Sequence, residues 1–150
     1  MCSKIAWTES SRSRLRLESS AMDPINTYID QFIEATISNQ RARLSCDAEA
    51  ANQYFTDADR YICEIKRFPD WTASILPLLK HENIAVRIRA ASILLPFTPI
   101  RARIILLKCG FAPGEDGFEA QMILKAWDAG SLEFPAFENG SVVYKSQRNE

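Results

Sequence analysis

The segment that most limits what this chain can become is "IAVRIRAASILL", Ile84 to Leu95. Placed on a helix at about 100° per residue, Ile84, Ile88, Ala91 and Leu95 make one stripe. Ala90 and Leu94 widen it, and Val86 and Ile93 cover most of the back. Only a wedge at Ala85, Arg89 and Ser92 is left for water. A helix that is apolar nearly all round must be packed on several sides. The rest of the chain therefore has to wrap it.

The flanking sequence supplies helices to do so. Asn83 is placed to cap the inner helix and Pro96 to end it. Asp23-Pro24 reads as a cap followed by a first-turn proline. Ile25, Tyr28, Ile29, Phe32, Ile33 and Ile37 then recur on one face. The pattern lapses at Gln40 to Ser45, which reads as a polar connection. From about Asp47 to Phe68 the periodicity is cleanest. Ala51, Tyr54, Phe55, Ala58, Tyr61, Ile62, Ile65 and Phe68 take one face, and Asn52, Thr56, Asp59, Arg60, Cys63 and Arg67 take the other. Trp71 to Lys80 predicts a short helix, kinked or ended early by Pro77. Thr98-Pro99 opens a helix that runs to Gly110. Another spans about Gly117 to Ala129, with Gly130 as a left-handed cap. Residues 133–150 read as a non-helical tail. There Asn139-Gly140 signals a turn, and Val142 to Tyr144 favours extended chain.

Four arginines sit in this apolar region as two Arg-x-Arg pairs. Positions i and i+2 lie about 200° apart on a helix, so each pair is split and no single basic ridge forms. Arg89 falls in the polar wedge and is expected in water. Arg87 falls at the border of the apolar arc, where a charge needs a partner. Arg101 and Lys108 share one polar edge, and Arg103 lies elsewhere.

"SILPLLKHENIAVRIRAASILL" resembles a HEAT-type repeat: a leucine-rich helix, a short polar turn, then Val86-Arg87 and Ala90-Ala91 opening the second helix. The resemblance implies that Arg87 braces the turn through an acidic partner, Glu82 or a carboxylate such as Asp116. It also implies antiparallel helix pairs stacked as a short α-solenoid, with the second helices lining a ligand face. On that face Arg89, Arg101 and Lys108 are candidate partner contacts. Residues from about Ala51 to Leu132 also resemble a small uncharacterised bacterial family known only as a domain of unknown function. The carriers there are "GFEAQMILKAWDAGSL", with Gly117-Phe118-x-Ala120 and Leu124-x-x-Trp127-x-x-Gly130. Trp127 is expected to be structural. The likeness extends to single-domain binders, including immunity proteins that cover a toxin.

Chemistry is sparse. His81 is the sole histidine and sits in a turn. Cys2, Cys46, Cys63 and Cys109 lack C-x-x-C spacing, so neither a zinc site nor any other metal or cofactor is expected. Reduced thiols in a cytoplasmic protein are the simplest reading. Glu115-Asp116-Gly117 reads as a helix start with acids favouring the dipole. Asp57 and Asp59 are two apart and cannot share a face. There is no phosphate loop, nucleophile elbow or dinucleotide fingerprint, so no catalytic residue is named. The net charge of −1 gives no basic field for nucleic acid or a membrane surface. No apolar run approaches the ~20 residues that a bilayer span needs.

The expectation is therefore an all-α protein. Residues 1–21 are read as a disordered leader and 22–132 as a HEAT-like helical domain, followed by the tail. Its function is read as non-enzymatic binding of another protein, as an immunity- or antitoxin-like inhibitor would do. A nucleic-acid-binding helical repeat is the alternative. Phe134, Phe137 and Tyr144 in the tail either fold back to cap the helical stack or anchor a partner.

Overall fold

A computed structural model describes residues 24–146. The expected leader and the cap at Asp23 lie outside the described residues. Six α-helices and a two-stranded sheet follow in order. Helix α1 spans Pro24–Leu44 and α2 Ala48–Ile65. The short α3, Trp71–Ile75, runs into a 3-10 turn, Leu76–Lys80, that carries Pro77 in its first turn. Helix α4 is Ile84–Leu94, α5 Pro99–Cys109 and α6 Gly114–Ala129. Strands β1, Glu133–Glu138, and β2, Ser141–Ser146, pair antiparallel.

Helix α4 lies inside, as its sequence demands. Val86, Ile88, Ala90, Ala91, Leu94 and Leu95 are fully buried. They join Phe32 of α1, Ile62 and Ile65 of α2, Ile75 of α3 and Leu106 of α5 in one core. Asn83 starts α4 by accepting from the backbone N–H of Ala85 at 2.8 Å and of Val86 at 3.3 Å. Burial of this set is the main stabilising term, at roughly 25 cal/mol per Å² of apolar surface.

Helix α1 runs to Leu44, so Gln40 to Leu44 is helix and not the expected connection. Its end is a left-handed cap without glycine. Cys46 has φ 60°, and its N–H donates to Arg43 O at 3.1 Å while Asp47 N–H reaches Ala42 O at 2.9 Å. Asp47 then caps α2 through Ala50 N–H. The same motif closes α6 at Gly130, φ 76°, as the sequence suggested.

Helix α6 begins at Gly114, three residues earlier than expected, because Gly114 takes φ 83° and lets the loop turn directly into it. Gly117 has a different reason to be small. A Cβ there would run into the backbone carbonyl of Ala112. The loop before α6 thus folds tightly over its first turn.

Asn139-Gly140 makes the hairpin turn, with φ 54° and 79°, as a type I′ turn requires. Gly117→Ala is expected to destabilise the chain by about 2–3 kcal/mol, the cost of forcing atoms into a filled space. Urea denaturation monitored by circular dichroism measures it, and an unchanged midpoint would disprove the close approach.

Candidate functional site

Two charged side chains expected in water are withdrawn from it, Asp59 fully and Arg89 for the most part. Asp59 of α2 is 2% exposed, and Arg89 of α4 has a side chain 13% exposed. They form an ion pair with each other. The second oxygen of Asp59 accepts from the Tyr144 hydroxyl of β2 at 2.6 Å. The Arg89 guanidinium also lies 4.5 Å above the Phe55 ring. Each charge is therefore answered: Arg89 by a carboxylate and a π face, and Asp59 by two donors.

The cause of this burial is the hairpin. It lies across the side of α2 that a helical wheel assigns to solvent, covering Asp59 and Cys63. Lys66 fastens β1 to that side. Its ammonium donates to Pro135 O at 3.3 Å and stands 5.8 Å from the rings of both Trp71 and Phe134. Phe134 is half-buried under this strap, whereas Phe137 is exposed near the turn. A small cleft of about 140 Å³ remains beside the ion pair, bordered by Phe55, Ser92, Glu119 and Phe134.

Three groups here titrate abnormally. Burial, then the bond to Asp59, pushes Tyr144 up to about 12. Burial raises Glu119, although Arg89 and Arg43 pull the other way. Burial also raises the Cys63 thiol, which keeps it protonated and unreactive.

The four central arginines do not converge. Arg87 donates to the carbonyl oxygens of His81 at 2.7 Å and Glu82 at 3.1 Å. It braces the turn through backbone oxygens, not through the expected carboxylate. Asp116 is engaged instead by Gln40 at 2.9 Å and Arg43 at 3.3 Å. Arg103 pairs with Asp128 of α6 at 2.8 Å and 3.2 Å. Arg101 and Lys108 are exposed on α5. Trp127 packs against the core, and His81 accepts from Asn83 N–H at 3.0 Å within its own turn.

The more prominent surface feature is one the sequence reading missed. Helix α5 is apolar on two opposite faces. Ala102, Leu106 and Cys109 are buried, while Ile100, Ile104 and Leu107 point outward at 78%, 48% and 48% exposure. Phe111, just past the helix end, continues the row at 90% exposure. Arg101 and Lys108 border this seam on one edge. The signal was present in the sequence as a helix with more apolar faces than one neighbour can cover.

Among the described residues no helix is long and apolar enough to cross a membrane, and no group of three or more His, Cys, Asp or Glu side chains is placed to hold a metal.

These features define a small, mostly helical domain with a two-stranded sheet strapped across one helix. The chain belongs to the family described as Domain of unknown function (DUF2019), which matches residues 26–127. Asp59, Arg89 and the α5 seam lie inside that span, and the hairpin with Tyr144 lies beyond it. The fold is similar to the crystal structure of the protein RPA1889 from Rhodopseudomonas palustris CGA009. That likeness has a TM-score of 0.66 at 24% identity and covers 72% of this chain and 91% of that one. No curated protein matches the chain.

Asp59→Ala takes from Arg89 the carboxylate it is bonded to and from the Tyr144 hydroxyl its acceptor, and is expected to cost about 3 kcal/mol in urea denaturation. A change within experimental scatter would show that the pair contributes nothing net. Tyr144 gives a pH signature. Its folded pKa lies above the unfolded value of 10.0, so its contribution is complete below pH 10 and is lost as pH rises through about 12. Tyr144→Phe is expected to flatten the loss of stability over that window, read from thermal unfolding at stepped pH. An identical slope in the variant would contradict the hydroxyl's bond to Asp59.

Proposed function

We propose that the protein is a non-enzymatic binding module that docks another protein through α5. The observation that carries this is the outward seam Ile100, Ile104, Leu107 and Phe111. Exposed large apolar side chains in a continuous row lose contact with water when a partner covers them, and such rows mark interaction sites. Arg101 and Lys108 stand at the edge, where charges steer encounter and select partners.

The wider reading is a HEAT-like module in the cytoplasm, with helix pairs stacked as a short solenoid. In its favour are the turn at His81–Asn83, tied by Arg87 to the helix that follows, and the enclosure of α4. An immunity- or antitoxin-like inhibitor, acting by covering its target, is the version that the sequence resemblance favours. Phe134 serves this module as a strap residue, and Phe137 is left outward near the hairpin turn.

Photo-crosslinking tests the reading. A photoreactive amino acid replacing Leu107 in the native cell is expected to give a discrete protein adduct, and the same group at Glu82 is not. Nuclease-sensitive adducts would favour the nucleic-acid alternative. No adduct at Leu107 would remove the support for docking through α5.

A further inference from the structure

We infer that the α5 seam receives an amphipathic helix of another protein that carries carboxylates along one edge, and not a second copy of this chain. The inference rests on the docking reading above and adds the chemistry of the partner. Positions 100, 104, 107 and 111 follow a four-three-four spacing, the repeat by which one helix seats its knobs between those of another. Ile100, Ile104 and Leu107 fall within about 60° of arc at 3.6 residues per turn. So narrow a strip suits a helix better than a broad surface.

The two edges of the seam differ. On one edge Arg103 is already neutralised by Asp128, and Gln121 of α6 donates to Gly110 O at 2.8 Å. On the other edge, Arg101 and Lys108 are seven residues apart and exposed, and neither forms an ion pair among the described residues. A partner helix therefore gains charge complementarity by presenting Glu or Asp on that edge. Self-pairing does the reverse. A two-fold axis running two α5 helices antiparallel sets each edge beside its own copy, so Arg101 meets Lys108 of the other chain. Cation then stands on cation, which disfavours the pairing. A parallel two-fold sets Lys108 beside Arg103, whose charge Asp128 already answers, so that arrangement gains nothing from charge.

The test uses the full chain and two synthetic helical peptides. Their apolar seams are identical with the same spacing, and the flanking edge is glutamate in one and lysine in the other. Fluorescence anisotropy is expected to show the glutamate peptide binding at least about tenfold tighter, with the gap closing as salt rises. The exposed double substitution Arg101→Glu with Lys108→Glu is expected to invert the preference while leaving the circular dichroism unchanged. Equal affinity for both peptides overturns this inference and leaves docking through α5 intact. Binding of neither peptide, with a protein adduct still formed at Leu107, also overturns it, because the partner then offers no helix. Loss of both peptide binding and the adduct removes the docking reading as well. Sedimentation velocity showing a dimer that Leu107→Asp dissolves would assign the seam to a second copy and overturn it too.

Discussion

Enclosing α4 is the constraint on which everything else depends. An inner helix has no face of its own to give to water, so any polar side chain on it must find a partner within the protein. Arg87 and Arg89 are the two charges it carries. One turns back to the carbonyl oxygens of the preceding turn. The other crosses to α2 and meets Asp59. The enclosing helices thus supply oxygens as well as apolar surface, and the position of α2 is fixed by both.

The ion pair then sets a requirement for the tail. Asp59 has more accepting capacity than Arg89 uses, and α2 alone leaves its outer side open. Tyr144 fills the second oxygen, and the hairpin that brings it also covers Cys63. Tyr144 titrates high for a related reason: its hydroxyl is partly withdrawn from water, and ionising it would set a phenolate beside the Asp59 carboxylate. Burial of the pair and retention of the strap are thus one coupled arrangement.

What the sequence disclosed, and what it hid, follows from the range of each signal. Caps at Asn83 and Gly130 and the turn at Asn139-Gly140 were legible because each is decided by two or three adjacent residues. The end of α1 was not, because Cys46 takes the left-handed position that glycine or asparagine usually marks. The burial of Asp59, Cys63 and Arg89 was hidden for another reason. A helical wheel reads one helix, whereas Tyr144 reaches Asp59 from 85 positions along the chain and Asp59 reaches Arg89 from 30. Arg87 at the turn was legible in role but not in chemistry, since carbonyl oxygens leave no mark in a sequence. On α5 the apolar spacing was plain, but a wheel cannot say which of two apolar faces the neighbours will take.

Lys66 has a further consequence. Its ammonium is shared between Trp71 on α3 and Phe134 on β1. Helix α3 is too brief to persist by itself, and a lone hairpin is marginal in water. With one cation lying against both rings, lifting the hairpin strips a contact from Lys66 and loosens its hold beside Trp71, while Ile75 keeps α3 in the core. Trp71 emission is thereby placed to register a movement of the strap.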